Sequence, residues 1–132
     1  QTRSKACLRN MVFVGNVQKG AGQAGRQFGV PTANLDVNVL PETVKPGIYA
    51  AKVSCDGATH QAVVFIGRAY LLPEKSWRVE AHLLAFSGDL LGRTLTVELV
   101  KLLREPVEFR SVHEAQEIIQ KDIAIAQAFF SQ

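Results

Sequence analysis

Gly47-Ile48-Tyr49-Ala50-Ala51-Lys52-Val53-Ser54-Cys55-Asp56-Gly57-Ala58-Thr59-His60-Gln61-Ala62-Val63-Val64-Phe65-Ile66-Gly67 is the stretch that decides the fold. Two β-type runs flank Asp56-Gly57, and Asp-Gly tolerates the positive-φ backbone that a two-residue hairpin turn demands. An antiparallel pair over 47–55 and 58–67 is therefore expected. Downstream, a loop from Arg68 to Ser76 surrounds Pro73, and Trp77–Phe86 and Arg93–Leu103 then read as a second long pair around Ser87-Gly88-Asp89. Upstream, Met11 to Val17 reads as a strand with both sides partly covered, Met11 and Phe13 on one face and Val12 and Val14 on the other. Thr32–Val37 is a further extended run, and 39–47, with Pro41 and Pro46, is turn-rich and should cross an end of the fold. These signals predict about six strands before any long helix.

The period changes near the C-terminus. Ser111-Val112-His113-Glu114 is a capping box, and Val112, Ala115, Ile119, Ile123, Ala126 and Phe130 recur at helical spacing as one apolar stripe. A single amphipathic helix must lie on something apolar. With strands making up the rest, the expected fold is mainly β, a closed or nearly closed antiparallel barrel with the helix on one side or over one end, since closure removes sheet edges.

A chain of 132 residues suits one domain with an ordinary core. Residues 1–10, with Arg3, Lys5 and Arg9, read as a tail or linker, and 11–132 as the barrel domain. Cys7 and Cys55 make no disulfide framework, and neither a secretory leader nor a membrane-length apolar run is present, so a cytoplasmic location is expected and a membrane is not. The net charge of +3 comes from scattered basic residues, so nucleic acid is not an expected partner. An oligonucleotide-binding barrel ranks low as well, because few aromatics alternate with basic residues. No histidine or cysteine spacing suggests zinc, and no Gly-x-Ser-x-Gly marks a serine hydrolase. The first residue is Gln, so a fragment of a longer protein is one expectation.

The chemistry concentrates in Gly29-Val30-Pro31-Thr32-Ala33-Asn34 and the glycines before it, Gly15, Gly20, Gly22 and Gly25. Glycine lets backbone N–H groups approach and surround an anion, and Arg26 adds a permanent cation. The loop lacks the Gly-Lys-Ser/Thr ending of a Walker loop and the G-x-G-x-x-G of a dinucleotide fold, and taken alone it fits a surface loop better than a phosphate site. Pro31 shifts that balance, because it sends the chain out stiffly in an extended conformation. Thr32 and Asn34 then share one strand face beside the loop. A hydroxyl and an amide oxygen, together with substrate phosphates, suit a magnesium ion that keeps several of its waters.

Glu80 shares a strand face with His82. Read alone, a carboxylate there fits a solvated face or an ion pair better than a catalytic role. The competing reading is a general base that takes the proton of an attacking alcohol. His82 reads as a hydrogen-bonded packing residue, His113 as solvated and Trp77 as a partly buried barrel aromatic.

Gly15-x-Val17-x-x-Gly20 and Gly25-Arg26-x-Phe28-Gly29-Val30-Pro31-Thr32-Ala33-Asn34 resemble the signature of the riboflavin kinase family, found alone in eukaryotes and as the C-terminal module of bacterial bifunctional FAD synthetases. Gly47-Ile48-Tyr49-Ala50, Val79-Glu80-Ala81-His82, Gly88-Asp89-Leu90-Leu91-Gly92, Leu103-Arg104 and Phe109-x-Ser111 with Asp122 resemble further family motifs, in the same order. The resemblance implies a six-stranded Greek-key barrel with a C-terminal helix, and ATP-dependent phosphorylation of riboflavin to FMN. It implies nucleotide contacts from Gly20, Gly22, Gly25, Arg26, Gly29 and Thr32, and magnesium held by Thr32 and Asn34. It also implies Glu80 as the base toward the ribityl 5′-hydroxyl, Arg104 as a flavin or phosphate contact, and an adenylyltransferase domain as a possible fusion partner. The alternative is a barrel of the same fold that binds flavin or nucleotide without turnover. Departures from the pattern fall at Phe65, at Ala69 to Leu72, at Ala85 and at Leu91, and the 20–29 loop is one residue longer than in most bacterial members.

Overall fold

The structure, a computed structural model, describes residues 11–19, 32–68, 77–108 and 110–132. Six strands form one antiparallel sheet: β1 (Val12–Asn16), β2 (Thr32–Leu35), β3 (Gly47–Cys55), β4 (Ala58–Arg68), β5 (Trp77–Leu83) and β6 (Thr94–Arg104), followed by helix α1 (Val112–Phe130). The order across the sheet is β1-β6-β3-β4-β5-β2. Strands β3, β4 and β5 are neighbours in sequence order and β6 returns beside β3, which is a Greek key. The sheet curls into a half-barrel. Its two end strands approach each other just past β1, where the Gln18 N–H donates to the Asn34 carbonyl at 2.8 Å.

The β3–β4 hairpin forms as its turn residues require: Asp56 and Gly57 have φ of 52° and 83°, and Cys55 pairs with Ala58. Alternation then sorts side chains onto two faces. Phe13, Ala33, Leu35, Tyr49, Val53, Val64, Ile66, Val79, Ala81, Leu83, Leu95 and Val97 fill the concave side in one cluster. Val37, Val39, Leu40 and Val44, from the turn-rich segment and its 3₁₀ turn at Val37–Val39, pack against that cluster. Gly15 belongs here rather than to a phosphate loop. It is buried in β1, where an added Cβ would meet Val39 Cγ1 at 3.3 Å and Leu35 Cδ2 at 3.5 Å.

The convex side has a second cluster, in which Ile48, Val63 and Phe65 of the sheet meet Ile119, Ile123 and Ala126 of α1. Ser111 caps the helix by accepting from the Glu114 N–H at 3.1 Å, while the Glu114 carboxylate accepts from the Arg110 N–H at 2.8 Å. Of the expected apolar stripe, Ala115, Ile119, Ile123 and Ala126 are buried, whereas Val112 is exposed. Asp122 is also buried in the stripe.

Two expectations about pairing and cover need correction. Strands β5 and β6 do not pair, since β5 lies between β4 and β2 and β6 between β1 and β3. The connection through Ser87-Gly88-Asp89 crosses an end of the barrel: Leu90 inserts into the concave core, and the Gly92 N–H donates to the Val17 carbonyl at 3.0 Å. Strand β1 is covered on one side only, with Phe13 buried and Val12 and Val14 exposed, because α1 packs mainly over β4, β3 and β6.

Candidate active site

Strands β2 and β5 stand side by side in a register that pairs Thr32 with His82 and Asn34 with Glu80. Residues directly opposite in an antiparallel pair point to the same face, with Cα atoms about 4.5–5.5 Å apart. Ala33, Leu35, Val79 and Ala81 face the concave core. Thr32, Asn34, Glu80 and His82 therefore form one polar patch on the convex side. The segments carrying them are separated by more than forty residues in the chain, and the Greek key brings them together.

Within the patch, Thr32 Oγ1 and His82 Nδ1 are 2.9 Å apart, and His82 Nε2 lies 3.9 Å from Glu80 Oε1. His82 is wholly buried, and burial lowers its imidazole to about 4, so the ring is neutral at physiological pH. Glu80 is partly covered. Burial raises its carboxyl above the ordinary carboxylate range, opposed by the nearby Arg78 charge. A carboxylate with a raised pKa, next to a neutral hydroxyl and amide, is suited to accepting a proton rather than to forming a permanent ion pair.

The row continues across the sheet: Asn34 pairs with Glu80, Glu80 with Phe65, Phe65 with Ile48 and Ile48 with Arg104. Phe65 is 7% exposed and sets an apolar wall between Glu80 and the helix-covered cluster. Gly67 leaves room for it, since an added Cβ would lie 3.1 Å from the Phe65 ring.

Arg104 stands three strands from Glu80, or about 14 Å along the sheet at the usual spacing. Its Nε and Nη2 donate to the two carboxylate oxygens of Asp122 at 2.7 Å each, and its Nη1 donates to the Glu105 carbonyl at 2.9 Å. The Asp122 side chain is only 2% exposed. This forked pair ties the end of β6 to α1. An acid inside the apolar stripe of a helix, three residues after Ile119, is the sequence signal for such a pair, because a buried carboxylate needs a partner.

Gly20, Gly22, Gly25, Arg26 and Gly29 lie outside the described residues, as do residues 1–10 and Ala69 to Leu72. Gln18 joins Asn34 at the point where the 20–31 segment leaves β1, and Thr32 begins β2 where that segment ends, so both of its anchor points lie at the patch. Among the described residues no group of three or more His, Cys, Asp or Glu could hold a metal by itself. Thr32 and Asn34 offer neutral oxygens, which fit a hard cation that takes most of its ligands from phosphates and water. Trp77 is 39% exposed at the start of β5 instead of packing in the barrel, with the Arg68 guanidinium 5.8 Å from its ring centroid. His113 is exposed near Glu117. No helix among the described residues is long and apolar enough to cross a membrane.

A small Greek-key half-barrel with one packed helix thus carries a hydroxyl, an amide and a raised-pKa carboxylate on one face of two adjacent strands. The family model described as "Flavokinase: Riboflavin kinase" matches residues 7–130, and the chain belongs to the riboflavin kinase family. Riboflavin kinase of Mus musculus is 35% identical over 88% of this chain and 79% of its own length. The bifunctional riboflavin kinase/FMN adenylyltransferase of Pseudomonas fluorescens is 38% identical over 78% of this chain and 33% of its own length. The trifunctional protein RibF/MnmA of Mycoplasmoides gallisepticum is 35% identical over 96% of this chain. The chain spans 19% of that trifunctional protein and between 33% and 47% of the bacterial bifunctional ones. Among solved structures, riboflavin kinase from Trypanosoma brucei superposes with a TM-score of 0.62 at 21% identity, covering 92% of this chain and 80% of that one, a likeness of fold.

Proposed function

We propose that this chain transfers the γ-phosphoryl group of ATP to the ribityl 5′-hydroxyl of riboflavin, giving FMN and ADP, as a cytoplasmic enzyme. The observation that carries the proposal is the β2–β5 register, which sets Asn34 opposite Glu80 and Thr32 opposite His82 on one face. Family membership supplies the substrates.

In this reading Glu80 accepts the proton of the attacking hydroxyl. An alcohol is a weak nucleophile at neutral pH, and a positioned carboxylate assists its attack in line with the scissile P–O bond. Phe65 sets an apolar wall on one side of that carboxylate. Gly20, Gly22, Gly25, Arg26, Gly29 and Thr32 cradle the nucleotide phosphates. Thr32 and Asn34 hold magnesium, which when bound neutralises charge that develops on the transferring phosphoryl oxygens. Arg104, held by Asp122 and the Glu105 carbonyl, retains two N–H donors for a flavin or phosphate oxygen. In a longer protein, an adenylyltransferase domain such as the bifunctional relatives are named for would carry FMN on to FAD.

Incubating the chain with riboflavin, ATP and magnesium tests the proposal. FMN should accumulate in proportion to ADP, and bound riboflavin that stays unphosphorylated would support the inactive barrel instead. Because burial raises the Glu80 carboxyl, and only its ionised form accepts a proton, kcat/KM should rise with pH through an acid limb displaced above the ordinary carboxylate range.

A further inference from the structure

Resting on the proposal that Thr32 and Asn34 hold the cation, we infer that His82 is a positioning residue: its Nδ1 accepts a hydrogen bond from the Thr32 hydroxyl, so that Thr32 presents a lone pair to the metal. The family pattern places a histidine here, but the role is read from geometry. His82 pairs with Thr32 across β2 and β5, its Nδ1 is 2.9 Å from Oγ1, and its ring is wholly buried.

A hydrogen bond between a hydroxyl and an imidazole nitrogen has two polarities. If Nδ1 carried the proton, it would donate to Thr32 Oγ1, occupying a lone pair and leaving the hydroxyl hydrogen to turn toward the cation. That arrangement sets a positive hydrogen against a positive ion. If Nδ1 accepts instead, the hydroxyl hydrogen is drawn away from the cation and an Oγ1 lone pair can face it. The ring proton then resides on Nε2, the nitrogen 3.9 Å from Glu80 Oε1, where an N–H favours the ionised carboxylate electrostatically. One ring thus orients the metal ligand and faces the base. Outer-shell partners of this kind commonly change metal affinity about 10–100-fold when lost.

Side-chain geometry provides the test. An Asn at position 82 places its amide oxygen where Nδ1 stands, two bonds from Cβ, whereas a Gln reaches the Nε2 position. ADP binding to the parent, His82→Asn and His82→Gln proteins is measured by calorimetry in excess magnesium and in EDTA. The parent and His82→Asn should show the same gain in affinity from magnesium, within about threefold, and His82→Gln should lose about tenfold of that gain with its EDTA affinity unchanged. Equal magnesium gains in all three proteins, or equal losses in both variants that extend to EDTA, would reduce His82 to a packing residue. A parent with no magnesium gain would overturn the Thr32 and Asn34 assignment and this inference together, whereas FMN formation by that same protein would leave the kinase reading standing. On the unaltered protein, ring ¹⁵N chemical shifts with magnesium and ADP bound should report the Nε2–H tautomer, and the Nδ1–H tautomer would overturn the inference whether or not the variants fold.

Discussion

The convex face of this sheet has two halves made by the same strands and the same alternation, yet they differ in what covers them. Over β3 and β4, Ile48, Val63 and Phe65 lie under α1 and are buried. Toward β2 and β5, the same rows end in Thr32, Asn34, Glu80 and His82, on the side away from the strands that α1 packs against. A helix stripe can seal only the width it spans, and what lies beyond that width is free to be polar. The helix-covered half should therefore govern stability, and the polar half chemistry.

The largest test of that division is Asp122→Ala. It strands the Arg104 guanidinium at the helix edge, and breaking a pair this buried should cost about 3–5 kcal/mol in urea unfolding. A loss below about 1 kcal/mol would show that the helix-covered half does not depend on this clamp. The next effect belongs to the polar half. The folded protein keeps His82 neutral down to about 4, while an unfolded histidine takes up a proton near 6.5. The His82 contribution is therefore complete above 6.5 and is lost as pH falls toward about 4, whereas Glu80, with its raised carboxyl, contributes in the opposite direction. Compared with His82→Asn, the parent should lose up to about 3 kcal/mol more stability between neutral pH and pH 4. Parallel stability curves would mean that the imidazole titrates normally. The smallest effect is at the helix entrance, where Ser111→Ala removes the acceptor for the Glu114 N–H and should cost about 1 kcal/mol with FMN formation unchanged. An equal fall in turnover would show that the two halves are coupled through α1.

Local chemistry was legible in the sequence wherever a few adjacent residues determine the outcome. Asp56-Gly57 fixed its hairpin and Ser111 to Glu114 its cap, because turn and cap geometry depend on neighbours in the chain. The alternation that put Thr32 with Asn34, and Glu80 with His82, is equally local. What could not be read was which strands lie beside which. The turn at Ser87-Gly88-Asp89 looks the same whether the chain folds back or crosses over, and the burial of Leu90 and the bond from Gly92 to Val17 are tertiary facts. The same limit applied to Val12 and Val14, whose exposure depends on how far α1 reaches. Arg104 likewise stands at a strand end, where the sequence shows only its chain neighbours. Its partner is Asp122, which a strand-end reading could not supply.

Turnover of Glu80→Gln at saturating riboflavin, ATP and magnesium, measured beside its melting temperature, tests most directly whether the polar half carries the chemistry. The variant should lose about 100-fold or more in kcat while melting no lower than the parent, since a neutral amide relieves the buried charge. Turnover within about threefold of the parent would contradict a proton-accepting role for Glu80 and, with it, the functional reading of the β2–β5 patch.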